Sequence, residues 1–310
     1  MMRLKQTNSK DDGKSMNIEV DASGYRELLS SQFIVVTRCA ERVDRVFPEW
    51  LSTEFDEFGR YQPRDLNLPT AVIKRPEGSS GFVDDPPITS LGMMNSHILG
   101  RNMKLNGMWP MNVIYVSPSL RCIETAQAII RGAGASEQEV EISIEPNLFD
   151  YLGWYEKLPS FLPVNILKAA GNQVNSKNKS NRELEKLVGK ETFPEFYSRI
   201  DKLISEISRK PNRMMFVVHA TVMDAIIKSL KQSDGKKIGE HNFHHLGSHY
   251  PFNTTFTLAR KEEKWSYVHD PIPALSYLGT SNRVNSRFIE RTTKPKRSAA
   301  HHSAAHQSAE

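Results

Sequence analysis

Three arginines and one histidine follow short apolar runs of this 310-residue chain. They are Arg38, Arg42, Arg121 and His219. Guanidinium groups match phosphate oxygens through paired hydrogen bonds, and a helix N-terminus adds backbone donors. If the apolar runs are parallel strands, their carboxyl ends meet at one edge of the sheet, which is where such sheets bind ligands. The four side chains therefore predict a site for a dianion such as a phosphoryl group. Taken singly, Arg42 also fits an exposed helix and His219 a hydrogen-bonded core position.

The elements that must position these side chains alternate along the chain. Apolar runs rich in β-branched residues are typical of strands buried on both faces. Strands are predicted at residues 33–37, 113–116, 214–218, 254–258 and 265–269, with the last at a sheet edge. Helices are predicted after the N-cap Thr89 (with Leu91, Met94, Ile98 and Leu99 on one face), over 119–132, over 193–210 and after His219. This alternation predicts an α/β fold in one domain, residues 18–282, with a mostly parallel sheet between helices.

The net charge of +5 is confined to the two ends of the chain. Residues 1–17 carry +2 and residues 283–310 carry +4, which leaves −1 for the body, so the body does not have the basic excess of a nucleic-acid-binding domain. Both ends are predicted to be flexible or disordered tails. The basic C-terminal tail could contact acidic partners, although a solvated tail is the plainer interpretation. A polar stretch at about 171–191 is predicted to be a surface insertion in the domain.

The lengths of the apolar stretches and the number of cysteines indicate the cellular compartment of the protein. No apolar run approaches the roughly 20 residues of a membrane-spanning helix, and the first residues lack the apolar stretch of a secretory signal. The two cysteines, Cys39 and Cys122, are too few for a disulfide framework or a cysteine-rich zinc site. We therefore expect a protein without membrane contact in a reducing compartment, the cytoplasm or the nucleus.

The order of these motifs resembles the histidine phosphatase (phosphoglycerate mutase-like) superfamily. Its pattern is a strand followed by Arg-His-Gly-Glu-Arg, then Ser-Pro-x-x-Arg-x-x-x-Thr-Ala, then Val-x-His-Ala. Within it, the chain is most similar to the phosphatase domain of the suppressor of T-cell receptor signalling (ubiquitin-associated and SH3 domain-containing) proteins. The residues that carry this likeness are Gly59-Arg60-Tyr61, Asn67-Leu68-Pro69, Gly81-Phe82, Pro87-Ile88-Thr89 with Gly92, Ser117–Cys122 with Thr125-Ala126, and Glu145–Phe149.

The resemblance implies a three-layer α/β/α sandwich and phosphoryl transfer from a phosphomonoester, phosphotyrosine included, without metal or cofactor. The expected partners are a phosphorylated protein or a small phosphomonoester, and the resemblance suggests that the domain pairs with itself. It assigns Arg38, Arg42 and Arg121 to the phosphate and makes His219 a donor to the phosphoryl group. It also makes Glu145 the proton donor to the leaving oxygen. Glu41 stands near the same site, and either carboxylate could instead pair with an arginine.

The chain departs from the family at the nucleophile, where Cys39 replaces the histidine and Ala40 the following glycine. One interpretation is a catalytically impaired pseudophosphatase that still holds an anion, because a shorter side chain misplaces the attacking atom. A second keeps an enzyme with a Cys39 thiolate, which nearby arginines favour, and Cys39 to Arg45 spells the Cys-x5-Arg spacing of cysteine phosphatases. A third is an adaptor that uses the fold as a scaffold, which is compatible with the first.

Three further segments are functional candidates. The apolar stretch Tyr151–Tyr155, with Leu158, Phe161 and Leu162, is predicted to cover its own domain; an interface is the alternative. His241, His244, His245 and His249 crowd one stretch, but without the spacing of a zinc motif, so a surface loop is predicted. His301, His302 and His306 lie in the flexible tail.

Overall fold

The computed structural model describes residues 32–109, 111–136, 138–175, 181–209, 213–231, 243–261 and 264–293. The N-terminal tail and the last residues of the C-terminal tail lie outside these ranges. The strands are β1 Phe33–Arg38, β2 Val113–Val116, β3 Ile142–Ile144, β4 Met214–Val218, β5 Thr255–Lys261, β6 Lys264–Val268, β7 Ser276–Tyr277 and β8 Thr280–Ser281. The helices are α1 Val43–Val46, α2 Trp50–Thr53, α3 Ser90–Leu105, α4 Leu120–Ala133, α5 Val164–Ala169, α6 Arg182–Leu187, α7 Phe193–Ile207, α8 Ala220–Leu230, α9 Leu246–His249 and α10 Ser286–Thr293.

Six strands form the central sheet in the order β3-β2-β4-β1-β5-β6. The first four strands are parallel to one another. Strand β5 is antiparallel to β1, and β6 is antiparallel to β5. The mostly parallel sheet is therefore confirmed, and β6 lies at its edge as predicted. None of the described helices has the length and apolar character to cross a bilayer.

Helices cover both faces of this sheet, because successive side chains of a strand point to opposite sides. Along β1, Phe33 and Val35 belong to the core beneath α3 and α4, whereas Ile34 and Val36 belong to the core beneath α7 and α8. The arrangement is the predicted three-layer α/β/α sandwich.

Helix α3 begins as predicted, with the Thr89 hydroxyl accepting a hydrogen bond from the Gly92 N–H at 3.0 Å. The predicted apolar face is wrong in part: Leu99 is buried and Leu91 half-buried, but Met94 and Ile98 are exposed. The buried face instead contains small residues, since α3 packs closely on α4. A Cβ on Gly100 would lie 2.0 Å from the Ile129 carbonyl oxygen, so only glycine permits this approach.

The C-terminal segment also differs from its prediction as a disordered tail from residue 283. Helix α10 lies inside it, and Phe288 and Ile289 are buried in the core beneath α7 and α8. The two apolar side chains supply enough buried surface to order a segment that is otherwise basic and polar. The described structure therefore continues as a packed helix to Thr293.

The polar stretch at 171–191 is anchored at both ends where the structure describes it. Val174 forms a bridge to Ile142 beside β3, and Glu191 is buried against Arg199 with Oε1 and Nε 2.7 Å apart. Leu184 of α6 packs with Phe149 and Leu152. Tyr155, Leu158 and Phe161 of the apolar stretch pack against the same cluster.

Candidate active site

The carboxyl ends of β1, β2 and β4 meet at one edge of the sheet. Arg38 pairs with Val218 in the register of β1 and β4, and Val116 pairs with Val217 in that of β2 and β4. The next residues of the three strands therefore emerge side by side, and they are Cys39, Ser117 and His219. A cavity of about 130 Å³ opens above them. Its lining comprises Arg38, Cys39, Arg42, Arg45, Asp150, Trp154, His219, Ala220, Thr221, Phe243, His244, Leu246 and Gly247.

Cys39 lies at the bottom of this cavity and is only 2% exposed. Its backbone N–H donates to the Val218 carbonyl at 2.8 Å, and the N–H of Ala40 donates to Thr125 Oγ1 at 3.0 Å. These bonds hold the turn after β1 against β4 and α4. The Cys39 sulfur lies within 4.8 Å of both Cys122 Sγ and a ring nitrogen of His219.

His219 occupies the N-cap of α8, and its two ring nitrogens face different partners. Nε2 lies 2.8 Å from Ser117 Oγ and 4.0 Å from Cys122 Sγ. Nδ1 lies 3.2 Å from Arg121 Nη2 and 3.8 Å from Asp150 Oδ2. Burial lowers the pKa of His219 below its ordinary value, so the ring is neutral at pH 7.

The pKa values of the two cysteine thiols are shifted in opposite directions. A hydrogen bond from Cys122 lowers the pKa of Cys39 well below its ordinary value, and His219 and Arg121 act in the same direction against the effect of burial. Burial and the neighbouring Cys39 raise the pKa of Cys122. Cys39 is therefore the more readily ionised thiol of the pair.

The cluster of Cys39, Cys122 and His219 is termed the floor of the cavity. The three predicted arginines lie near this floor, but each is held by a different internal partner. Arg38 Nη1 donates to the carbonyls of Gly247, at 2.9 Å, and Tyr250, and the guanidinium lies 4.1 Å from the centroid of the Phe252 ring. Burial lowers the pKa of Arg38 to about 10, which leaves it charged at pH 7. Arg42 forms a two-point ion pair with Asp44 at 2.9 and 2.6 Å.

Arg121 lies beneath the cavity and is fully buried. Nη1 donates to the Asp84 carbonyl at 3.2 Å and lies 3.9 Å from Asp85 Oδ1, and Nη2 reaches His219. Asp85 also accepts a hydrogen bond from the Leu120 N–H at 2.8 Å and pairs with Arg75 at 2.7 Å. These contacts fix the first turn of α4, and with it Arg121, against the floor.

The carboxylate among the cavity-lining residues is that of Asp150, whereas Glu145, the predicted proton donor, is not among them. Glu145 is buried at the end of β3, where Oε1 accepts a hydrogen bond from the Asn147 N–H at 3.2 Å and caps the short turn Pro146–Leu148. That turn carries the chain back so that Asp150 faces His219. Asp150 also accepts a hydrogen bond from the Thr221 hydroxyl.

Asp150 is ionised at neutral pH. Burial alone would raise its pKa, but His219, the Thr221 hydroxyl and Arg121 together outweigh that effect and lower it. Glu41, the other candidate carboxylate, turns away to accept hydrogen bonds from Thr89 Oγ1 at 2.8 Å and Asn67 Nδ2 at 3.1 Å. It connects the loops around α3.

Several cavity residues were not among the site residues predicted from the sequence. Arg45 adds a fourth guanidinium, and Trp154, Phe243 and His244 form an aromatic wall, with 5.4 Å between the rings of Trp154 and Phe243. Of the histidine-rich stretch, His244 reaches the cavity and His249 stacks on Phe288 at 3.9 Å, whereas His241 lies outside the described residues. The Cys-x5-Arg spacing that begins at Cys39 was the sequence signal for Arg45.

Known proteins share both the sequence pattern and the fold. The family model of the histidine phosphatase superfamily (branch 1) matches residues 74–255. The human ubiquitin-associated and SH3 domain-containing protein B is 34% identical over 199 residues, which are 62% of this chain and 30% of that protein. The ecdysteroid-phosphate phosphatase of Drosophila melanogaster is 30% identical over 201 residues, 64% of this chain and 26% of that protein. The chain thus spans less than a third of the length of either relative.

A solved structure extends this likeness to three dimensions. The crystal structure of the ecdysone phosphate phosphatase from Bombyx mori, in complex with tungstate, is similar with a TM-score of 0.67 and 27% identity. The match covers 83% of this chain and 99% of that one. Because the family model spans more than half of the chain and the strand ends form the expected edge, this protein belongs to the histidine phosphatase superfamily.

Proposed function

We propose that this chain binds the phosphate dianion of a phosphomonoester in the cavity at the carboxyl ends of β1 and β4, and that it hydrolyses the ester weakly or not at all. The observation that carries the proposal is Cys39 at the position of the family's nucleophile. The side chain is almost fully buried, and its sulfur lies against Cys122 and His219. In this proposal the protein acts as a scaffold that binds a phosphorylated partner.

The chemistry of the family depends on an imidazole nitrogen that attacks phosphorus in line. A cysteine sulfur ends closer to the backbone than that nitrogen would, and a misplacement of about 1 Å can cost about a hundredfold in rate. Asp150, the carboxylate that faces the cavity, is ionised by its neighbours and therefore has no proton for a leaving oxygen. Both the nucleophilic attack on phosphorus and the protonation of the leaving oxygen are therefore impaired.

Anion binding remains favourable in the same cavity. Arg38 lines it, Arg121 lies beneath it, and Arg42 can exchange Asp44 for a phosphate, which offers the same two-point acceptor geometry. Tungstate, which accompanies the Bombyx mori phosphatase, is a tetrahedral oxyanion like phosphate. The wall of Trp154 and Phe243 suits an apolar or aromatic alcohol portion, such as a phosphotyrosine side chain.

A cysteine-dependent phosphomonoesterase is the second candidate, favoured by the lowered pKa of Cys39. The backbone between Cys39 and Arg45 does not fit this candidate. In cysteine phosphatases a glycine-containing loop wraps the phosphate with free N–H groups, whereas here the Val43 N–H donates to Pro87 and the Arg45 N–H to Arg42. The segment between Cys39 and Arg45 includes the start of helix α1 and contains no glycine.

The test is turnover of a chromogenic phosphomonoester together with binding of tungstate by titration calorimetry. We expect tungstate to bind the wild type and turnover to appear only in Cys39→His, or in Cys39→His with Ala40→Gly. Robust wild-type turnover that disappears in Cys39→Ser would establish the cysteine enzyme and overturn the proposal. Arg38→Ala combined with Arg121→Ala should abolish tungstate binding; retained binding would show that the anion site lies elsewhere.

A further inference from the structure

The two cysteines of the chain meet beside a histidine, although they come from different elements. Cys39 follows β1, Cys122 lies in the first turn of α4, and His219 begins α8. One donor atom from each, two sulfurs and a ring nitrogen, lie within 4.8 Å of one another, and all three side chains are buried. We infer that Cys39, Cys122 and His219 form a three-ligand site for a thiophilic divalent ion, Zn²⁺, at the floor of the cavity.

The donor set and spacing match this ion. Thiolate and imidazole are the ligands that zinc prefers, and bond lengths of about 2.3 Å to sulfur and about 2.0 Å to nitrogen give tetrahedral edges of about 3.5–3.8 Å. Cys122 Sγ and His219 Nε2 are already 4.0 Å apart. The three donors lie within 4.8 Å of one another, so a contraction of at most about 1 Å brings them to the edges of one tetrahedral site.

The second nitrogen of His219 faces a carboxylate, the kind of partner that metal-binding histidines have. When Nε2 binds the ion, the ring proton resides on Nδ1, which lies 3.8 Å from Asp150 Oδ2. A carboxylate in this place fixes the tautomer and strengthens the imidazole as a ligand. Arg121 Nη2, now 3.2 Å from Nδ1, then turns towards the carboxylate of Asp150 or Asp85.

The local charge also accommodates a cation. Two thiolates neutralise the ion once the Cys122 thiol releases its proton. Arg42 is paired with Asp44, and Asp150 faces His219. These carboxylates offset part of the positive charge of the surrounding arginines. Cys39 and His219 line the cavity, which leaves the fourth coordination position facing it for a water molecule or a phosphate oxygen. This site is independent of whether the chain hydrolyses phosphomonoesters.

Cobalt(II) is the probe for the site, because it enters zinc sites and thiolate ligands give it an intense near-ultraviolet absorption. The full chain is reduced, stripped with a chelator and titrated with Co²⁺ and then Zn²⁺. His301, His302 and His306 are replaced by alanine in all samples, so that the tail contributes no imidazole. We expect one ion per chain, the thiolate absorption, and displacement of Co²⁺ by Zn²⁺.

Single substitutions identify the ligands. Cys39→Ser, Cys122→Ser and His219→Gln should each weaken binding by about a hundredfold or more, because a lost ligand costs at least as much as a lost outer partner. His97→Gln, at an exposed histidine of α3, is the matched control and should bind as the wild type does. Thermal denaturation checks folding, and Zn²⁺ should raise the midpoint of the wild type but not of Cys122→Ser.

Three results would overturn the site. They are the absence of thiolate absorption in the reduced wild type, unchanged affinity in Cys122→Ser, and a Cys39–Cys122 disulfide that persists under reductant and prevents binding.

Discussion

Asp150 Oδ2 lies 3.8 Å from His219 Nδ1, so a carboxylate from the loop after β3 faces the imidazole at the end of β4 across the floor of the cavity. Its negative charge opposes an incoming dianion. We expect Asp150→Asn to tighten binding of tungstate about threefold to tenfold, the magnitude of one screened charge interaction at close range. Titration calorimetry at constant pH measures the change.

Glu145→Gln is the matched control for Asp150→Asn, because it also neutralises one buried carboxylate after β3. Its carboxylate caps a turn and does not line the cavity, so the affinity for tungstate should stay unchanged. A tighter complex in Glu145→Gln, or an unchanged one in Asp150→Asn, would contradict the assignment of Asp150 as the carboxylate of the cavity.

The buried ion pair of Arg75 and Asp85 should be important for stability. Both side chains are fully buried and 2.7 Å apart, and Asp85 also fixes the first turn of α4. Arg75→Ala leaves a buried charge without its closest partner, which typically costs about 3–5 kcal/mol. Urea denaturation should therefore show a large loss in the free energy of unfolding.

The exposed pair of Arg60 and Asp56 provides the comparison, because it has the same 2.7 Å separation. Such surface pairs contribute about 0–1 kcal/mol, so Arg60→Ala should change the free energy of unfolding little. Equal losses in Arg75→Ala and Arg60→Ala would mean that burial does not control the cost.

The close contact of α3 and α4 depends on two glycines. A Cβ on Gly100 would lie 2.0 Å from the Ile129 carbonyl oxygen, and a Cβ on Gly132 would lie 1.9 Å from that of His97. Each alanine substitution should force the helices apart and lower the free energy of unfolding by about 1–3 kcal/mol or more. Chemical denaturation of Gly100→Ala and Gly132→Ala measures it.

Gly247→Ala is the control for these substitutions, since the nearest contact of its added Cβ would be Arg38 Nη2 at 3.8 Å, an ordinary van der Waals distance. We expect a change within about 0.5 kcal/mol, as is usual for substitutions without a steric conflict. Comparable losses at Gly247 and Gly100 would refute the steric explanation.

The packing of α10 should depend on pH through His249. Its ring stacks on Phe288 of α10, and burial together with the charge of Arg291 lowers its pKa below the ordinary value, while Asp224 opposes the shift and His245 adds to it. The folded protein therefore favours the neutral ring. Its contribution to stability is complete above pH of about 6.5, the value of a free histidine, and is lost as the pH falls below it.

Hydrogen exchange of the α10 amides, compared at about pH 8 and about pH 5.5, measures this effect. After correction for intrinsic rates, protection should fall at the lower pH in the wild type. His249→Phe keeps a ring against Phe288 but cannot be protonated, so its protection should be independent of pH. A parallel loss in both proteins would assign the pH dependence to another group.

The sequence was sufficient for five strands of the central sheet, for its main covering helices and for the edge where the site lies, although β3 and α10 were missed. Apolar runs such as Met214–Val218 and the N-cap Thr89 are local signals, because each residue's burial or hydrogen bonding is decided within a few positions of the chain. The pattern of motifs also identified the family and its sandwich fold. The roles assigned to Cys39, His219 and the arginines remain predictions.

Only the tertiary structure decided which side chains meet. Glu145 and Asp150 follow the same strand, and nothing local distinguishes them; the turn that Glu145 caps directs Asp150 to His219. The contact of Cys39 with Cys122, the glycine contacts of α3 and the burial of Phe288 likewise join distant parts of the chain. Periodicity in the sequence indicates which face of an element is apolar. Which atoms face each other depends on how all the elements pack together, and no local pattern of residues specifies that packing.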